Sequence, residues 1–228
     1  MNRTSAILFF LALCSQASAQ ITNQNLFDTI PFLVDHYRAR VKAFESEPVE
    51  TGKIIFLGNS ITEGGDWKAL TGISSVINRG IGGDVTFGVL QRLADITRRQ
   101  PSKLFILIGI NDIGKDIPDA VIADNVRKII LTVQRASPVT TIFLQSILPV
   151  NPAIHKFPQH YDKQYHVIHT NSLLEQVAAT TGIRYLNIYP LFLDSMQRLD
   201  QRFTSDGLHL NQEGYKTWVK FLKETDCL

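Results

Sequence analysis

The chain has 228 residues, 44% of them hydrophobic and 19% charged, enough to bury the core of one globular domain of ordinary size. Its 23 basic and 21 acidic residues are interspersed and leave a formal charge of only +2. No basic stripe is present, which excludes nucleic acid as the natural partner and favours a small or neutral substrate.

In chain order, the first 19 residues have the layout of a secretory signal. Arg3 supplies the positive start, residues 6–13 the short apolar stretch, and Ala17-Ser18-Ala19 the small-residue cleavage site. The apolar stretch is too short to span a bilayer. Export with cleavage before Gln20 is expected, followed by no stable membrane insertion. Arg3 and Cys14 depart with the leader, and Leu13 is not the small residue that a lipoprotein signal prefers before its cysteine. Cys227 is then the single remaining cysteine, so no intramolecular disulfide can form. An exported chain without disulfides suits a bacterial periplasmic or secreted protein.

Residues 20–50 carry a helical pattern, with Leu33, Tyr37, Val41 and Phe44 apolar and Pro31 placed for a first turn. Residues 47–52 break it. Residues 53–57 read as a buried strand that stops at Gly58-Asn59-Ser60. A short strand over 75–78 leads into the glycine-rich Gly80-Ile81-Gly82-Gly83-Asp84, followed by a helix with Phe87, Leu90, Leu93, Ala94 and Ile96 apolar. Residues 103–108, nearly all apolar, read as a central strand that ends at Gly109-Ile110-Asn111-Asp112. A helix over 118–135 has Ile122, Val126, Ile129, Ile130 and Val133 on one face. A strand over 140–145 follows, then a polar loop through Pro149, Pro152 and Pro158. The helix over 161–180 is expected to turn Tyr165, Ile168, Leu174 and Val177 inward. Residues 183–188 form the last strand, and a terminal helix runs over 212–223 after Asp206-Gly207-Leu208-His209.

Strands alternating with helices predict an α/β fold, a three-layer α/β/α sandwich with a five-stranded parallel sheet and right-handed crossovers. The flavodoxin-like order 2-1-3-4-5 is the expected one. No repeat and no linker divides residues 20–228, which are read as a single catalytic domain.

In such a sheet the loops after the first three strands emerge on one edge. Ser60 offers a hydroxyl that becomes a nucleophile once a base removes its proton. Gly83 has no side chain to keep a substrate oxygen from its N–H. Asn111 offers an amide donor beside a central strand, or alternatively organises its own turn. The N–H groups of Ser60 and Gly83 with the Asn111 amide would make a three-donor oxyanion hole. The glycine cluster lacks the spacing of a phosphate loop, and no Lys-Ser/Thr follows it. Asp206 and His209, three apart in a turn, can pair through Nδ1 and leave Nε2 to face a serine.

These four segments, in this order, resemble the SGNH hydrolases, also called GDSL esterases/lipases, from about residue 50 to the terminal helix. Asn78-Arg79-Gly80-Ile81-Gly82-Gly83-Asp84 followed by Leu90-Gln91-Arg92-Leu93 looks like the platelet-activating-factor acetylhydrolase-like branch. The resemblance implies Ser60 as nucleophile, His209 as base, Asp206 as its partner, and Gly83 and Asn111 as oxyanion donors beside the Ser60 N–H. Gly83 is preferred to Gly80 because the family's donor precedes the Asp of that block. Asn59 stands where the family name records Asp, which removes a charge and leaves the role of that position open.

His155, His160, His166 and His169 cluster in sequence without further ligands at metal spacing, so no metal and no cofactor are expected. Residues 149–160 are expected to rim the site. Trp218 and Phe221 are expected to anchor the terminal helix, and Trp67 to pack. The resulting expectation is an exported serine esterase for short acyl esters, acetyl above all, with an O-acetylated glycan as a candidate substrate. A lysophospholipase or thioesterase of the same fold, or a catalytically idle carbohydrate-binding domain, are the alternatives.

Overall fold

Strand segments that are apolar at every position must be covered on both faces, and they occupy the middle of the sheet. The computed structural model describes residues 32–228; the expected leader and Pro31 lie outside the described residues. Five parallel strands, β1 (Ile54–Gly58), β2 (Val76–Gly80), β3 (Lys103–Leu107), β4 (Thr141–Gln145) and β5 (Arg184–Leu186), are ordered 2-1-3-4-5. The expected α/β/α sandwich and strand order are therefore what the chain adopts. All of β1 is buried, as is β3 after Lys103.

Register lines up one aromatic row across the sheet. Phe56 pairs with Phe105 and Phe105 with Phe143, and both ring pairs stack with centroids 4.7 Å apart. Trp67, in the short helix α3 (Trp67–Thr71), stacks on Phe56 at 3.9 Å. Trp218, in the terminal helix α9 (Gln212–Glu224), meets Trp67 edge-on and donates its indole N–H to Gln145 at 2.6 Å. One face of the sheet is thus sealed by α3 and α9. Asn211 caps α9 by accepting the N–H of Gly214, with Glu213 in the first turn and Lys223 in the last, charges that suit the helix dipole.

The other face is covered by α4 (Thr86–Gln91), α5 (Leu93–Arg98), α7 (Asp119–Ala136) and α8 (Gln164–Thr181). The remaining helices are α1 (Val34–Ser46), which precedes the sheet, and the two short turns α2 (Ser60–Glu63) and α6 (Ile110–Gly114). Helices after β1 and β3 go to opposite faces, so a crevice opens at the carboxyl ends of these two neighbouring strands.

Several expectations shift. The single helix expected after the glycine block breaks at Arg92, whose guanidinium turns into the core. Tyr165 and Ile168 are exposed instead of inward; the buried side of α8 is Val167, Thr170, Leu174, Val177 and Ala178. The first turns of α8 run alongside α7 where Asp119 engages His166 and His169, and Tyr165 stacks on His169 at the surface. Leu33 is half exposed, although Tyr37 and Phe44 of the same pattern are buried. β5 is shorter than residues 183–188 and β2 extends to Gly80.

Candidate active site

β1 ends where α2 begins, and the junction is made by Asn59. Its Oδ1 accepts the N–H of Ile61 at 3.0 Å, so Asn59 is the N-cap and Ser60 the first helical residue. The hydroxyl of Ser60 is thereby released from capping. An Asp at position 59 would accept the same bond, which accounts for an Asn standing there.

Asn78 holds the other end of α2. Its Nδ2 lies 3.0 Å from the carbonyls of Thr62, Glu63 and Gly65, and its Oδ1 accepts the Gly80 N–H at 2.8 Å. Gly80 is required for this approach, because a Cβ there would stand 2.1 Å from the Glu63 nitrogen. Asn78 is a positioning residue that sequence reasoning missed; a polar side chain inside a strand was the available signal.

His209 Nε2 lies 2.9 Å from Ser60 Oγ, across 149 residues of chain, and its Nδ1 lies 2.8 Å from Asp206 Oδ2. Asp206 Oδ1 accepts the N–H groups of Leu208 and His209 at 3.0 and 2.8 Å. Burial pushes the Asp206 carboxyl up, but the bonds from the His209 backbone and ring and from Leu208 outweigh it and hold the group below its ordinary value. An ionised Asp206 only accepts, so Nδ1 carries a proton and Nε2 presents its lone pair to the serine hydroxyl. Thr204 Oγ1 accepts the Gly207 N–H at 2.9 Å and stiffens this turn. The ring of Phe157, from the loop after β4, meets His209 edge-on with centroids 5.3 Å apart.

Asn111 is 5% exposed and donates one Nδ2 hydrogen to the Asp84 carbonyl at 2.9 Å. It reaches across to the glycine block and does not organise its own turn; its second amide hydrogen stays uncommitted. Gly83 has φ +75°, a conformation that favours glycine. Among the described residues neither the Ser60 nor the Gly83 N–H has an acceptor.

A buried polar layer supports these loops. Asp84, wholly buried, pairs with Arg92 through Nε at 2.9 Å and Nη2 at 2.8 Å, and Arg92 Nη2 also donates to the Gly58 carbonyl. One guanidinium therefore ties the end of β1 to the glycine block. Asp112 accepts the Thr86 N–H at 3.0 Å and its hydroxyl at 2.5 Å, while Asn125 donates to Thr86. Burial pushes Asp84 up to about 6 against the pull of Arg92, and pushes Asp112 up to about 7.

The histidines of residues 155–169 do not gather into one cluster. His160 is buried with neither ring nitrogen partnered, and burial, then the charges of His209 and Lys163, push it down to about 4. Its ring rests against Gly114 of α6. His166 and His169 both turn Nδ1 to Asp119. Among the described residues no group of three or more His, Cys, Asp or Glu is arranged to hold a metal. No helix among them is long and apolar enough to cross a membrane.

The sequence profile of the GDSL-like Lipase/Acylhydrolase family matches residues 56–217. Among solved structures, one from Streptococcus pneumonia, described by reference to platelet activating factor, is 29% identical with a TM-score of 0.77, covering 92% of this chain and 98% of its own. A GDSL-like lipase from Bacteroides thetaiotaomicron is 22% identical with a TM-score of 0.71, covering 83% and 96%. A variant of an acetyl-xylooligosaccharide esterase from Geobacillus Stearmophilus is 18% identical with a TM-score of 0.61, covering 78% and 96%. The last two likenesses are of fold. A comparison with curated proteins finds no match.

Proposed function

The chain belongs to the GDSL-like lipase/acylhydrolase family and is a carboxylic ester hydrolase of the SGNH type; on that premise we propose that it is an exported serine esterase that removes short acyl groups, acetyl above all, through an acyl-enzyme. Ser60 is the nucleophile, His209 the base and Asp206 the group that orients it. The observation that carries this assignment is the continuous chain from Ser60 Oγ to His209 Nε2 at 2.9 Å and from His209 Nδ1 to Asp206 at 2.8 Å.

His209 takes the hydroxyl proton as Ser60 Oγ attacks the ester carbonyl. Negative charge builds on the former carbonyl oxygen and is held by the Ser60 N–H, the Gly83 N–H and the free Asn111 amide hydrogen. Collapse breaks the bond to the alcohol, which takes the proton back from His209. A water, deprotonated by His209, then attacks the acyl-serine, and the bond to Ser60 Oγ breaks as His209 returns the proton to it and the acid leaves. Asp206 stays ionised throughout and stabilises the imidazolium that forms at each step.

An O-acetylated carbohydrate is the substrate class to examine first. Support comes from the acetyl-xylooligosaccharide esterase of like fold and from the leader pattern of residues 1–19, which would bring the enzyme to extracellular glycans. The test is a panel of O-acetylated sugars set beside p-nitrophenyl esters of increasing chain length, with Ser60→Ala as control. Acetyl esters should be cleaved fastest and Ser60→Ala should cleave none. A maximum at long acyl chains would redirect the assignment to lipid esters, and sugar binding without hydrolysis would make the chain a binding domain.

A further inference from the structure

The glycine donor of the oxyanion hole sits in a stretch with no side chain of its own to hold it. Gly82 and Gly83 are adjacent, neither carries a side chain to fix it, and Gly83 takes positive φ. A donor that swings loses most of its value, because oxyanion stabilisation depends on dipoles already aimed before charge develops. Something outside the pair must hold it.

Two contacts flank the Gly82–Gly83 peptide. On one side the Gly82 N–H donates to Glu63 Oε2 at 2.5 Å. On the other the Gly83 carbonyl accepts the Phe32 N–H at 3.2 Å. The Gly83 N–H lies between these two anchored atoms.

Glu63 is itself held. His36 Nε2 lies 3.0 Å from Oε2, and Arg40 Nε lies 2.9 Å from Oε1, the latter a contact of charge because its N–H is not aimed at the oxygen. His36 and Arg40 are one turn apart on α1 and so present one face. Phe32 lies two residues before that helix, and Lys115, at the end of the α6 turn that carries Asn111, stands 4.3 Å over its ring. The segment 32–46 therefore touches the loops of two oxyanion donors while contributing no donor of its own. The family match begins only at residue 56.

We infer that Glu63, gripped by His36 and Arg40, is a positioning residue which, together with the Phe32 backbone, fixes the Gly83 N–H for oxyanion binding, so that docking of the N-terminal helix is part of the catalytic apparatus. The inference rests on the proposed serine mechanism. It assigns Glu63 to the stabilisation of charge and not to the activation of Ser60, although both residues lie in α2.

The experiment exploits sulfur. A thionoester places sulfur where oxygen would develop charge, and sulfur accepts hydrogen bonds poorly. A site with a well-aimed donor therefore prefers the oxygen ester strongly, and one with a slack donor prefers it less. Glu63→Ala should lower kcat for p-nitrophenyl acetate by about 10-fold, less than outright loss of a donor, with KM little changed. The oxygen-to-thiono rate ratio should fall in parallel. Glu63→Gln keeps an acceptor for Gly82 and should recover most of both quantities. His36→Ala combined with Arg40→Ala, at partly exposed positions that do not threaten the core, should fall between.

A drop in kcat with an unchanged rate ratio would overturn the inference and make Glu63 a support of Ser60. Unchanged kcat in Glu63→Ala would overturn it too. Failure of the serine mechanism itself would be seen separately, as activity persisting in Ser60→Ala.

Discussion

Two carboxylates near the site, Asp206 and Asp112, are both hydrogen-bonded and behave in opposite ways. Asp206 accepts two backbone N–H groups, the His209 ring N–H and, at 3.4 Å, the Thr204 hydroxyl; Asp112 accepts the N–H and the hydroxyl of Thr86. Yet Asp206 is held below its ordinary value while Asp112 is pushed up to about 7. Burial is the largest cause: Asp112 is fully buried, with the Asp84 carboxylate adding to the upward push, whereas the Asp206 side chain keeps 15% of its surface and has more donors and His209 beside it. Desolvation defeats hydrogen bonding at the first and loses to it at the second. A carboxylate proposed to stay charged beside an imidazolium belongs where solvent partly reaches it; one that braces a loop can sit in the core.

The comparison is broken most sharply at Asp206. Asp206→Asn keeps the size but can no longer stabilise the imidazolium, and kcat should fall by about 10³- to 10⁴-fold, with the midpoint of thermal unfolding little moved. A loss of only a few-fold would mean that another group orients His209. Next comes Asn111→Ala, which removes one proposed oxyanion donor and should lower kcat by about 100- to 1,000-fold with KM nearly constant.

At Asp112 the effect should fall on stability. Its carboxyl titrates higher in the folded state than in the unfolded chain, so the stability it contributes is complete below the unfolded value and is lost as pH rises through about 7. Relative to Asp112→Asn, the wild type should therefore lose resistance to urea between pH 4 and 8, while the kcat of the variant stays close to wild type. A constant difference across that range would contradict the contrast.

The sequence made legible what depends on strand ends. Ser60, Gly83 and Asn111 each follow an apolar run, and a parallel sheet delivers such loops to one edge whatever the intervening helices do. Asp206 and His209 were readable because their pairing is local, three residues apart. The braces were not readable. A polar side chain inside a strand hints at Asn78 without showing that it holds the end of α2, and Glu63 acts on Gly82, and Arg92 on both Asp84 and Gly58, through contacts that no local pattern encodes. Tyr165 and Ile168 misled because periodicity identifies an apolar face without saying how far along the helix its neighbour extends. Asn59 became clear only with backbone geometry, as the cap that leaves the Ser60 hydroxyl unoccupied.

Covalent catalysis at Ser60 is tested most directly by acid-quenching the enzyme during turnover of p-nitrophenyl acetate and locating the acetyl group by mass spectrometry. The acetyl should be found on the peptide that contains Ser60, and Ser60→Ala should show neither adduct nor turnover. Turnover by Ser60→Ala at the wild-type rate, or an acetyl group carried on a different residue on the reaction's own timescale, would contradict it.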